Sequence, residues 1–204
     1  MVDEYKKWFD EMKGLLETAY VKTDTPWQQS GFSGPEERWV AVRKPVAHCM
    51  NQSGTFLDIG CANGYLLECV VKWAGEREIE IGPWGLDLSE KLVGMAKERL
   101  KKKKKQIFVG NGMYWDPPRK FDYVRTELCY VPEGMRKEYV ERLLDEFLVD
   151  GGKLLVAEYR SGDEDRRIPW VDDVLIEMGF KVDYCEWGYW QGKELTRIAI
   201  IAKA

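Results

Sequence analysis

Asp58, Gly60 and Gly64 stand where residue type and spacing in this chain point most clearly to chemistry. In Phe56-Leu57-Asp58-Ile59-Gly60-Cys61-Ala62-Asn63-Gly64-Tyr65-Leu66-Leu67, an apolar run ends on a carboxylate, crosses small residues and enters an amphipathic pattern. The pattern predicts a strand over Thr55 to Ile59, a tight turn, and a helix from Gly64 to Trp73 with Asn63 placed to cap it. Gly60 and Gly64 let a ligand approach the backbone closely. A diphosphate at such a corner needs the G-x-G-x-x-G spacing, and here those places hold Gly60, Ala62 and Tyr65. A phosphate loop of the G-x-x-x-x-G-K-[ST] type is excluded, because Gly64 follows Gly60 too early and no Lys-Ser or Lys-Thr comes after it. With a carboxylate beside it, the turn suits a cation.

The D-x-G-x-x-x-G spacing of Asp58, Gly60 and Gly64 resembles the first motif of the class I S-adenosylmethionine-dependent methyltransferases, and the resemblance spans roughly 54–204. S-adenosylmethionine carries an ammonium and a sulfonium, which a carboxylate suits. The resemblance implies that Asp58 and the backbone of Gly60, Cys61, Ala62, Asn63 and Gly64 hold the methionine part. Asp87, followed by Leu88, would accept the ribose hydroxyls. Asn111, Gly112 and Met113 would face adenine, although the family often has an acidic residue where Asn111 stands. Glu127 and Leu128 would lie near the transferable methyl.

A sulfonium is already a good leaving group, so methyl transfer mainly needs acceptor and methyl aligned and water excluded. A base helps where the acceptor carries a proton. By strand-end position Glu127 and Tyr130 are the catalytic candidates, with Glu158 and Tyr159 behind them. For the acceptor, the segment Pro26 to Ser33 mixes aromatic, amide and hydroxyl groups as binding loops do, which makes Trp27 and Gln28 candidates together with Tyr159 and Trp190.

The elements that must position these residues alternate. A second strand is predicted over Ile79 to Leu86, ending in Asp87, and Ser89 caps a helix with Leu92, Met95, Ala96 and Leu100 on one face. Strands follow over Gln106 to Val109 and Phe121 to Thr126. A helix from Pro132 then carries the stripe Met135, Tyr139, Leu143, Leu144 and Phe147, and Gly151-Gly152 introduces a fifth strand over Lys153 to Tyr159. Pro169 opens a helix that Gly179 stops, and strands over Lys181 to Trp187 and Leu195 to Ala202 close the chain as an antiparallel hairpin joined by 188–194.

Such alternation implies an α/β fold with a parallel sheet covered on both faces and ligands at the carboxyl ends of the strands. The resemblance supplies what alternation cannot: a three-layer, doubly wound, Rossmann-like sheet of seven strands in the order 3-2-1-4-5-7-6, the last antiparallel. Residues 1–53 read as a helical cap belonging to the same domain as 54–204, and in the resembled family such helices lie over the cofactor. Tyr5, Trp8, Phe9, Met12, Leu15, Leu16 and Ala19 form a helical stripe. Ser33 with Glu36 reads as a capping box for a second helix, which Pro45 must bend or end.

Composition narrows the classes. The 204 residues suffice for one full core, and 31 Lys plus Arg against 35 Asp plus Glu give a net charge of -4, which attracts neither nucleic acid nor anionic lipid. Apolar runs are too short for a membrane span and the N-terminus lacks a signal-peptide core, so a cytoplasmic location is expected. The 5 cysteines, widely spaced, read as buried thiols, and with 1 histidine no metal site is expected. His48 reads as a packed or partly exposed helix residue. Asp116-Pro117-Pro118-Arg119 looks like the D-P-P-Y signature of amino-group methyltransferases but precedes the fourth strand, so it reads as a stiffened loop. Lys101 to Lys105 reads as a solvated helix end.

The reading is an S-adenosylmethionine-dependent methyltransferase with a small-molecule acceptor. Its alternatives are an RNA or protein methyltransferase using Lys101 to Lys105 and Arg166-Arg167 as contacts, a non-catalytic protein that binds the cofactor, and a nicotinamide oxidoreductase, against which Tyr65 argues.

Overall fold

The computed structural model describes residues 2–20, 22–163 and 167–204, with side chains from Tyr5 onward; Arg166, one of the two arginines named above, lies outside them. Seven strands form one sheet: β1 (Gly54–Ile59), β2 (Ile81–Asp87), β3 (Ile107–Val109), β4 (Phe121–Thr126), β5 (Leu148–Tyr159), β6 (Tyr184–Trp190) and β7 (Lys193–Ala202). Their order is β3-β2-β1-β4-β5-β7-β6, and β7 runs antiparallel to both of its neighbours. The expected topology is the observed one.

Helices α1 (Val2–Tyr20), α2 (Glu36–Arg43) and α3 (Pro45–His48) precede the sheet, and α4 (Tyr65–Gly75), α5 (Glu90–Arg99), α6 (Arg136–Arg142) and α7 (Val171–Glu177) connect its strands. Because β1 is buried on both faces, its side chains alternate between two cores. Leu57 and Ile59 join Val124, Tyr139, Phe147 and Leu175 under α6 and α7. Phe56 joins Trp39, Leu67, Val70 and Tyr123 under α2, α3, α4 and α5.

Local departures from the sequence reading have local causes. β5 begins at Leu148, five residues early, because a bulge carries Gly151 at φ 74° within the strand; its register with β4 jumps between Phe121 and Tyr123. β2 begins at Ile81, two residues late. The closing hairpin turns on only Gln191 and Gly192, at φ 50° and 74°, both positive as a type I′ turn requires. The 188–194 connection therefore shrinks, and Lys181 to Asp183 precede the strand. The capping box does not form: Pro35 occupies the N-cap of α2 without a side-chain bond, and Ser33 lies outside the helix. Ser89 does cap α5, accepting from the Leu92 N–H at 3.2 Å.

His48 is exposed at the end of α3. Lys101 to Lys105 is an exposed 3-10 segment leading into β3. Cys49 and Cys61 are buried, but Cys69 and Cys185 are half-buried and Cys129 is exposed, so the expectation of uniformly buried thiols fails. No described helix is long and apolar enough to cross a membrane.

Candidate functional site

A cavity of about 380 Å³ opens at the carboxyl edge of the sheet, within the range of small-molecule sites, roughly 300 to 1,000 Å³. Parallel strands all end there, so Gly60 and Ala62 from the turn after β1, Asp87 and Leu88 after β2, and Asn111 and Gly112 after β3 reach one wall. Glu127 and Tyr130 after β4 and Tyr159 at the end of β5 reach the other. α1 roofs the space with Trp8, Met12, Leu16 and Tyr20.

Asp87 holds the first turn as well as facing the cavity. Its Oδ2 accepts from the Ala62 N–H at 2.8 Å and its Oδ1 from the Ser89 N–H at 2.9 Å. Burial pushes its carboxyl pKa up, and these two backbone bonds pull it back. Ala62 sits at φ 46°, a left-handed conformation in which a side chain is strained. Gly60, at φ 77°, admits no side chain: a Cβ there would come within 2.5 Å of the Tyr130 ring.

Asp58 does not reach the cavity wall. It is fully buried and pairs with Arg125, its register partner on β4, at 3.1 Å. Arg125 also bonds Glu127 through Nη2 and the Tyr130 hydroxyl at 3.1 Å, and Tyr130 donates to Glu127 Oε1 at 2.6 Å. One guanidinium thus serves two carboxylates. Burial outweighs what Asp58 receives from Arg125 and raises its pKa to about 6, leaving Oδ2 buried without a partner. Around Arg125, burial opposes the charge, but Tyr130, Tyr159, Glu127 and Asp58 together outweigh it and hold the guanidinium firmly protonated. The corner chosen for its negative charge is therefore largely neutralised from within. Tyr130 keeps its phenol proton, since burial pushes its pKa well up.

Other candidates sit behind the wall. Asn63 is buried, accepts the Tyr65 N–H at 3.1 Å, and donates Nδ2 to the Pro26 carbonyl at 2.9 Å, which ties the turn to the segment before α2. Cys61 packs beneath Gly85. Gly64 brings α4 against Ala96 of α5, where a Cβ would come within 3.0 Å. Met113 and Leu128 belong to the core. Asn111 lines the cavity but spends its Oδ1 on the Met113 N–H at 2.8 Å. Of the acceptor candidates only Tyr159 faces the space. Trp27 bonds the Gly34 carbonyl at 3.0 Å, Gln28 accepts from Thr25 at 2.7 Å, and Trp190, the last residue of β6, does not line the cavity.

Sequence reasoning missed Arg43, and it named the α1 stripe as a cap without giving Trp8, Met12, Leu16 and Tyr20 as site residues. Arg43 ends α2 and stacks on Tyr159, its guanidinium carbon 3.3 Å from the ring centre. Burial pushes its pKa down, against the pull of Tyr159 and Glu127. Its position in the last turn of a helix was a signal, but only of a favourable helix dipole. The roof had a signal too: the apolar stripe Trp8, Met12 and Leu16 was visible without the surface it covers. Among the described residues no group of three or more histidine, cysteine, aspartate or glutamate side chains gathers to hold a metal.

No family model and no curated protein sequence matches the chain. Solved structures do match in shape. A SAM-dependent methyltransferase from Aquifex aeolicus is 17% identical, covering 89% of this chain and 100% of that one, with a TM-score of 0.60. Magnesium protoporphyrin IX methyltransferase from Synechocystis with bound SAM is 15% identical, covers 94% and 97%, and scores 0.58. A ribosomal protein L11 methylase from Lactobacillus delbrueckii is 17% identical, covers 84% and 81%, and scores 0.56. The fold is that of class I S-adenosylmethionine-dependent methyltransferases.

Proposed function

We propose that, on this fold, the chain binds S-adenosylmethionine and transfers its methyl group to a small-molecule acceptor. The observation that carries the reading is Asp87 at the end of β2, lining one cavity with the Gly60 turn and Asn111. The donor set fits the group. Each Asp87 oxygen accepts one backbone N–H and retains a second lone pair, as a ribose diol needs. At Gly60 only backbone meets the ligand, and Asn111 and Gly112 take the adenine end.

Bound there, the cofactor supplies an electrophilic methyl group on a leaving group that needs no protonation. The chain supplies position and dryness: Trp8, Met12 and Leu16 exclude water from above, while Glu127, fixed by Arg125 and Tyr130, accepts the proton an acceptor sheds. A small acceptor is favoured because α1 covers the cavity. Lys101 to Lys105 is an exposed segment between α5 and β3, and none of its side chains lines the cavity.

Thermal melting with S-adenosylhomocysteine tests the reading. At 100 times its dissociation constant the ligand adds about 2.7 kcal/mol, raising the midpoint by about 5 to 11 °C for a chain of this size. No shift overturns the proposal.

A further inference from the structure

Two hydrogen-bond donors meet in the cavity wall with nothing to bond. Arg43 Nη1 and the Tyr159 hydroxyl are both buried and both without a partner, and the guanidinium carbon stands over the phenol ring, 3.3 Å from its centre. Both side chains line the cavity. Arg43 makes no ion pair among the described residues; its polar neighbours Glu127 and Tyr130 are bonded to Arg125 and to each other. The carbonyls ending α2 favour a cation nearby but give Nη1 no acceptor. A buried guanidinium N–H and a buried hydroxyl left without hydrogen bonds are costly, and a ligand in the cavity can complete both. The missing partner is a hydrogen-bond acceptor, and the charge of Arg43 favours an anionic one, since Glu127 in the same wall is already bonded to Arg125 and Tyr130. A carboxylate meets a guanidinium edge and a neighbouring hydroxyl with both of its oxygens.

We infer that Arg43 and Tyr159 form a carboxylate-binding subsite at the β4–β5 end of the cavity, across Gly60 from Asp87. The inference rests on the proposed function, in which a carboxylate can come from two sources: the amino-acid part of the cofactor or an acid group on the acceptor.

Binding to the full chain distinguishes them, using S-adenosylhomocysteine, 5′-methylthioadenosine, which lacks the amino-acid part, and phenylacetate beside its neutral amide. If the cofactor supplies the carboxylate, Arg43→Met weakens S-adenosylhomocysteine by roughly 10- to 100-fold, as loss of a charged hydrogen bond does, and leaves methylthioadenosine unchanged. If the acceptor supplies it, S-adenosylhomocysteine binds Arg43→Met as it binds wild type, while phenylacetate binds the wild type better than phenylacetamide does and loses that preference in the variant. Tyr159→Phe reproduces either pattern more weakly. In both cases the ligand-free Arg43→Met protein melts no lower than wild type, since it sheds a charge that has no partner.

A lower melting midpoint with every ligand bound as before shows Arg43 to be a structural cation stacked on Tyr159 and overturns the subsite. Unchanged ligand binding with unchanged melting overturns it too. If the wild type binds phenylacetate through Arg43 but neither nucleoside, the methyltransferase reading fails and the subsite stands. If it binds S-adenosylhomocysteine independently of Arg43 and does not prefer phenylacetate, the subsite fails and the reading stands. If nothing binds, both fall.

Discussion

Arg125 reaches across from β4 to Asp58 on β1, its register partner, at 3.1 Å, and both side chains are almost wholly buried. Removing one member of a buried pair leaves the other charge unpaired, at a cost of about 3 to 5 kcal/mol. Arg125→Met is therefore strongly destabilised in urea unfolding. Adding Asp58→Asn in the double variant recovers part of the loss, and a strictly additive double variant refutes the coupling.

The same pair sets a pH dependence. Asp58 titrates at about 6 in the folded chain against an ordinary 3.8, so the folded state binds its proton more tightly than the unfolded state does. Stability from this group is complete below about pH 4 and is lost as pH rises through about 6. Relative to Asp58→Asn, which has no proton to lose, the wild type loses on the order of 2 to 3 kcal/mol over that window. Urea midpoints at both ends check the sign; a wild type that gains on the variant shows that Arg125 outweighs burial.

Asp87 is predicted to hold the ribose diol while stapling Ala62. Asp87→Ala weakens S-adenosylhomocysteine by about 10- to 100-fold in calorimetry, the loss of a charged hydrogen-bond acceptor. Unchanged affinity reduces Asp87 to the staple alone.

Ala62 carries left-handed strain of about 1 to 2 kcal/mol, which glycine relieves at an entropic cost of about 0.5 to 1 kcal/mol. Ala62→Gly is thus more stable by about 0.5 to 1 kcal/mol and binds S-adenosylhomocysteine undiminished. A less stable variant shows that the methyl group packs usefully at this 6% exposed position.

Glu127→Gln keeps a hydrogen-bond acceptor toward Tyr130 but removes the base. With an acceptor that must lose a proton, turnover falls by about 10² to 10⁴ while S-adenosylhomocysteine binding holds. Turnover equal to wild type rules out Glu127 as the base.

The sequence by itself determined the order of strands and helices, the corner after β1, and the placing of Asp87, Asn111, Glu127 and Tyr159 at strand ends. These follow from hydrophobic period and turn chemistry, which act over a few residues, and parallel strands bring all their ends to one edge. Only the tertiary structure decided which polar groups those ends actually face. Asp58 looked free to hold a cation because its partner lies 67 residues away and meets it solely through strand register. Asn63 looked like the cap of the helix, yet Gly64 takes the N-cap place of α4 and packs it against α5, while Asn63 ties the turn to the segment before α2. Arg43 looked like a helix-end charge until α2 docked on the sheet and set it over Tyr159. Charge pairing, burial and the roof of α1 are products of contacts between distant segments, and no local pattern encodes them.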